Sequence, residues 1–135
     1  MKTILVLEDE PSLVKLWRHA LTLAGYVIWE AANAEEAIRR FLDANRQIDL
    51  LLADVSLPVS SGILVALLLR MEVPGLRVVL TSRHPLTAWQ ARDAADFERL
   101  GSDSVIVLQK PFKNQTLLNS IRELTGAPSA AAGIG

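Results

Sequence analysis

Six positions in this chain of 135 residues combine reactive side chains with telling placement. Glu8 and Asp9 follow the apolar run Ile4–Leu7, and Asp54 follows Leu50–Ala53. Thr81 and Ser82 close the run that begins at Val78, and Lys110 stands just beyond Val105–Leu108. An acid at the end of such a run can cap a turn, hold a metal or act as a nucleophile. If the runs are neighbouring strands, the three acids converge, repel one another and resist ionisation. An oxygen-seeking divalent cation relieves that repulsion, and Mg²⁺ (or Mn²⁺) suits a few carboxylates together with water and a phosphate. Lys110 adds an ammonium and Thr81 a hydroxyl donor. These are the parts that stabilise a phosphoryl group in flight, with Asp54 as the nucleophile that becomes an acyl phosphate. Taken singly, each residue also has a plain structural role. Glu8-Asp9 ahead of Pro11 would suit a helix N-terminus, Asp54 would cap the turn before Pro58, and Thr81 and Lys110 would be ordinary strand-end residues. Their joint register favours the chemistry.

Positioning these residues takes an alternation of strands and helices. The apolar runs Ile4–Leu7, Tyr26–Trp29, Leu50–Ala53, Val78–Thr81 and Val105–Leu108 are short, continuous and rich in Val, Ile and Leu. Strands buried on both faces of a parallel sheet have this pattern. Helical periodicity lies between them. Leu13, Leu16, Trp17, Ala20, Leu21 and Ala24 share one stripe, which Gly25 ends. Asn33 and Glu36 stand in capping-box spacing ahead of Ala37, Ile38, Phe41 and Leu42. A third helix opens after Ser60-Ser61-Gly62 with Ile63, Leu64, Leu67, Leu68 and Met71 as its stripe. A fourth, from about Pro85 to Leu100, carries Leu86, Trp89, Phe97 and Leu100, with Asp93 interrupting the face. A fifth follows Asn114 with Leu117, Leu118, Ile121 and Leu124. The expected fold is an α/β (βα)5 chain wound on both faces of a five-stranded parallel sheet, flavodoxin-like, with its site at the carboxyl ends of the strands. One domain spans residues 1–125, and the small-residue stretch 126–135 reads as a flexible tail.

Composition narrows the function classes. Net charge is −1, with acids and bases interspersed, which gives no electrostatic case for nucleic acid or a membrane surface. The absence of cysteine removes disulfides, thiolate metal sites and a cysteine nucleophile. The apolar run near the N-terminus is too short for a signal peptide or a membrane span, so a cytoplasmic location is expected.

With these residues in place, the sequence resembles the receiver domain of two-component response regulators, over roughly Lys2 to Leu124. The resemblance rests on Glu8-Asp9, on Asp54 with Pro58 and Gly62 at +4 and +8, on Thr81-Ser82, and on Lys110-Pro111-Phe112. It implies that Asp54 accepts phosphate from a histidine kinase or histidine phosphotransferase. It also implies that Glu8, Asp9, the Asp54 carboxylate and the main-chain carbonyl of Ser56 hold Mg²⁺, and that Thr81, Ser82 and Lys110 serve the phosphoryl group and the switch. A cis Lys110–Pro111 bond, common in the family, would aim the lysine. The implied function is a phosphorelay switch rather than an enzyme that turns over a metabolite. Its output protein and oligomeric state are not legible, and with no effector domain in this sequence no DNA contact is expected.

Two other readings remain beside it. One is a phosphate-independent interaction module on the same fold. The other is a haloacid-dehalogenase-type phosphatase, which also uses a strand-end aspartate but wants a second one two residues on, where this chain has Ser56. Two departures from the receiver pattern bear on the readout. Val107 stands where receivers usually carry Tyr or Phe, three residues before the lysine, and the stretch from Thr81 to Lys110 is longer than usual. Signal output is therefore expected through residues 83–103. Trp17, Trp29 and Trp89 are expected to pack, with none abutting the site, although Trp89 lies in the unusual fourth segment. His19 is expected on a helix surface, and His84 near the active edge without a role.

Overall fold

The computed structural model describes residues 2–126; residues 127–135, where most of the expected tail falls, lie outside them. The strands are β1 (Thr3–Leu7), β2 (Val27–Ala31), β3 (Leu50–Asp54), β4 (Arg77–Ser82) and β5 (Val105–Gln109). The helices are α1 (Pro11–Leu23), α2 (Ala34–Asp43), α3 (Gly62–Glu72), α4 (Ala91–Leu100) and α5 (Asn114–Thr125). All neighbouring strands pair in parallel, in the order β2-β1-β3-β4-β5. Every residue of β3 is buried, as a central strand covered on both faces requires.

The sheet separates two apolar cores. On one side Ile4, Val6, Leu50, Leu52 and Val79 meet Trp17 and Leu21 of α1 and Leu117 and Ile121 of α5. On the other, Leu5, Leu7, Leu51 and Leu80 meet Phe41 of α2, Ile63, Val65, Ala66 and Leu69 of α3, and Leu100 of α4. Because strand side chains alternate, each strand feeds both cores.

Helix starts follow local chemistry. Pro11 opens α1 at a position that needs no amide donor. Asn33 Oδ1 accepts from Glu36 N–H, and the Glu36 carboxylate reaches back to Ala32 N–H, a variant of the capping box. Ser61 Oγ accepts from Ile63 N–H at the start of α3.

Three expectations need correction. Of the expected α3 stripe, Ile63 is buried and Leu67 packs against the core, but Leu64, Leu68 and Met71 do not face it. The buried face is Gly62, Ile63, Val65, Ala66 and Leu69, and Leu64, Leu68 and Met71 are exposed. A helix that is apolar nearly all round carries no phase in its periodicity. Leu16 and Leu42 likewise sit at the exposed margins of their helices. The fourth helix does not begin at Pro85. A 3₁₀ turn covers Leu86–Ala88, and α4 starts at Ala91. Pro85, Trp89 and Gln90 all hold extended backbone angles, so the chain turns twice before the helix can propagate.

Candidate functional site

The strand order places β1 and β3 side by side at the centre, with Leu7 opposite Ala53. Both strands end at one edge of the sheet, and their terminal acids meet there. Oxygens of Glu8, Asp9 and Asp54 lie within 4.8 Å of one another. Asp54 is also in register with Thr81 of β4, and Thr81 with Leu108 of β5. Ser82 O accepts from Lys110 N–H at 2.7 Å, which draws the end of β5 to β4. The Lys110–Pro111 peptide bond is cis.

Lys110 Nζ donates to Glu8 Oε1 at 2.9 Å and to Asp54 Oδ2 at 2.8 Å. Glu8, Asp54 and the Lys110 side chain are all nearly out of solvent, whereas Asp9 is exposed. The remaining oxygens are not idle. Asp54 Oδ1 accepts from Ser56 N–H, and Glu8 Oε2 from Glu10 N–H. Burial pushes the Glu8 carboxyl above its ordinary value; the Lys110 hydrogen bond opposes this and the Asp54 charge adds to it. Burial pulls Lys110 down, but its bonds and charge interactions with Asp54 and Glu8 outweigh that and hold it above its ordinary value.

Three carboxylates against one ammonium leave a charge deficit of two at this edge, and the donor set is all oxygen. Both features fit a hard divalent cation. Thr81 Oγ1 is fully buried and finds no hydrogen-bond partner among the described residues, so a buried donor beside Asp54 awaits an acceptor. A cleft of about 260 Å³ opens over these groups, lined by Asp9, Asp54, Ser56, Arg83 and His84.

Two residues at the cleft carry no site role in the sequence reading, although His84 is placed near this edge as expected. Arg83 pairs with Glu10 at 3.1 Å and so bridges the loops after β4 and β1 across the mouth. His84, to which no role was given, lines the same opening. Their signal was only proximity to Thr81 at a strand end. The expectation that no tryptophan abuts the site is wrong. Trp17 reaches it from α1, with its ring centroid 5.8 Å from Lys110 Nζ, and stacks on Phe112 at 5.8 Å. Trp89 Nε1–H donates to Ser82 Oγ and to His84 O, each at 3.1 Å. Trp29 packs against the core on the α2–α4 side of the sheet, and His19 is exposed on α1, as expected.

A five-stranded 2-1-3-4-5 sheet with three acids, a lysine and a threonine unpartnered among the described residues at one edge defines a class of phosphoacceptor switches. Comparison with known proteins agrees: the response regulator receiver domain model matches residues 4–122, and the chain belongs to that family. As a receiver domain it is a phosphoacceptor of two-component signalling rather than a classical enzyme. It is 34% identical over 121 residues to the transcriptional regulatory protein ResD of Bacillus subtilis, across 90% of this chain and 47% of that one. It is 33% identical to the phosphate regulon regulatory protein PhoB of Pseudomonas aeruginosa, across 98% of this chain and 57% of that one. The chain thus spans about half the length of these relatives. Among solved structures it is similar to a receiver protein of Sinorhizobium medicae, with TM-score 0.76, 27% identity and coverage of 93% and 95%. It is also similar to the response regulator TrrA of Thermotoga maritima, solved with Mg²⁺-BeF, with TM-score 0.70, 29% identity and coverage of 92% and 99%. Among the described residues no helix is long and apolar enough to cross a membrane.

Proposed function

We propose that Asp54 is the residue that takes the phosphoryl group, from a phosphohistidine of a kinase or phosphotransferase, and that the receiver unit spans residues 1–125. The observation that carries this is the Asp54 carboxylate bonded to the Lys110 ammonium and in register with Thr81, whose buried hydroxyl has no partner among the described residues. A carboxylate oxygen of Asp54 attacks phosphorus. The P–N bond of the donor breaks and its electron pair returns to the imidazole nitrogen. Lys110 and Thr81 then meet the phosphoryl oxygens, their charge and dipole fixed before the reaction. Water later attacks phosphorus, breaks the P–O bond and restores the carboxylate.

Glu8, Asp9, Asp54 and the main-chain carbonyl of Ser56 would hold Mg²⁺ or Mn²⁺, which neutralises charge on the transferring group. The Mg²⁺-BeF bound by TrrA supports this reading by similarity. Ser82 shapes the switch beside Thr81. The output protein would be one that distinguishes the two states of this domain, in the compartment where the donor kinase presents its phosphohistidine, the cytoplasm.

The test is incubation with Mg²⁺ and a small acyl phosphate, followed by intact mass. The wild type gains one phosphoryl group, and Asp54→Asn gains none while keeping its circular dichroism. A phosphoryl group mapped to another residue, or surviving in Asp54→Asn, would refute the assignment. A folded wild type that gains none would favour the phosphate-independent module.

A further inference from the structure

The face of the sheet that carries Val107 also carries Trp89 and Phe97, which pack against the same core. Aromatic mass missing from β5 is therefore supplied from the β4–α4 segment. Trp89 does more than fill space. Its Nε1–H is shared between Ser82 Oγ and His84 O, while Ser82 Oγ itself donates to His84 O at 2.9 Å and accepts from His84 N–H at 3.1 Å. Its ring meets Phe97 of α4 edge-on, with centroids 5.4 Å apart. One indole thus joins the residue after Thr81, the loop that lines the cleft and the body of α4.

We propose that the Trp89 indole is the latch through which the state of Asp54 reaches α4; this rests on the phosphoacceptor reading above. The backbone at the end of β4 is pinned from both sides, by Val55 N–H to Thr81 O and by Lys110 N–H to Ser82 O. When the Thr81 hydroxyl gains a phosphoryl acceptor, the strand end cannot shift far. The adjustment falls on the loop beyond it, Arg83 and His84, which also face the cleft. Moving the His84 carbonyl removes one of the two acceptors that hold the indole and disturbs the other. α4 is built to respond at that end. Its C-terminal end is clamped by Arg70, whose guanidinium donates to Leu76 O, Leu100 O and Asp103 O. Its first turn has no side-chain cap and carries Asp93, whose buried Oδ1 has no partner among the described residues. With the C-terminal end fixed and the N-terminal end held through Trp89, release of the indole swings α4 about the Arg70 clamp.

The experiment follows the indole N–H resonances of ¹⁵N-labelled protein, assigned with Trp17→Phe and Trp29→Phe, before and after adding Mg²⁺ with beryllofluoride. Fluorine resonances report independently whether beryllofluoride is bound. The expected result is a bound fluoride signal, a shifted Trp89 indole resonance, and indole N–H solvent exchange faster by about tenfold, the worth of one hydrogen bond. Trp89→Phe keeps an aromatic ring beside Phe97 and removes only the donor. It should take up phosphate on Asp54 yet show the beryllofluoride pattern of hydrogen exchange over residues 83–103 without any ligand. Bound fluoride with an unmoved Trp89 indole overturns the latch and leaves the phosphoacceptor reading standing. No bound fluoride in folded protein overturns both.

Discussion

Helices α3 and α4 are neighbours on the same face of the sheet, and they are held in opposite ways. α3 buries Ile63, Val65, Ala66 and Leu69, and starts on a Ser61 cap. α4 buries only Leu100 among its apolar residues, places Asp93 on its inner side, and lacks a side-chain cap. It leans on the core through the half-buried Phe97 and through Trp89 ahead of it. Burial of apolar area dominates local stability, so α3 belongs to the rigid frame and α4 to the low-stability end of the domain. The frame carries the acids of the site, and the soft element is the one to which the proposed latch assigns the signal.

The largest effect should come from Gly62, where α3 crosses the end of β3. A Cβ there would lie 2.3 Å from Asp54 O and 2.8 Å from the Ala53 Cβ. Backbone cannot retreat as a flexible side chain can. Gly62→Ala is expected to cost about 3 kcal/mol or more by urea denaturation and to cut phosphorylation of Asp54. Near-native stability would show that α3 can slide and that the frame is soft.

Next comes a matched pair. Leu69→Ala removes a buried α3 side chain and should cost about 3 kcal/mol, with faster hydrogen exchange across the whole sheet. Phe97→Ala removes a half-buried ring from α4 and should cost about 1 kcal/mol, with faster exchange confined to residues 83–103. Equal costs would erase the contrast between the two helices.

A third outcome concerns the frame's charge. Mg²⁺ at a hundredfold excess over its dissociation constant should stabilise the wild type by about 2.7 kcal/mol. Asp9→Asn should lose most of that gain while its metal-free stability stays within about 0.5 kcal/mol, because Asp9 is exposed. Trp17 lies close enough to Lys110 for its fluorescence to follow the titration. A metal response equal in both proteins would place the cation elsewhere.

What was legible in the sequence divides along the same boundary. Continuous apolar runs with an acid, a hydroxyl pair or a lysine at their ends gave the strands and the edge they share, because buried parallel strands tolerate little else. The phase of α3 was not legible, since Leu64, Leu68 and Met71 look no different from Ile63 and Leu69 until the sheet is present. The segment before α4 was misread for a different reason. Leu86 and Trp89 fall at helical spacing, but Trp89 is placed by hydrogen bonds to Ser82 and His84, a tertiary choice that periodicity does not encode. The approach of Trp17 to Lys110 depends on the packing of α1 against Phe112, which again no local pattern records.

The smallest effect tests whether the frame is strained by its own chemistry. Glu8 is held above its ordinary value of 4.5 chiefly by burial. The unfolded chain therefore loses this proton at lower pH than the folded one. Between the two values the folded state binds more protons at Glu8, so the contribution of this group to stability falls as pH rises. Above the folded value the penalty is fully present. Lys110 cannot produce this slope, because its raised value makes its contribution constant below 10.5 and lost only at higher pH. Glu8→Gln removes the ionisable group while keeping an oxygen acceptor for Lys110 Nζ. Its amide would face Glu10 N–H, which offsets part of the gain. The variant should be more stable than the wild type at neutral pH without metal, by about 1 kcal/mol or a few degrees in Tm. Saturating Mg²⁺ should reverse the order, since the cation rewards the charge that burial penalises. If the wild type instead gains stability relative to Glu8→Gln as pH rises through that interval, Glu8 is ionised and well paired by Lys110. The rigid end of the molecule would then be relaxed rather than poised for metal.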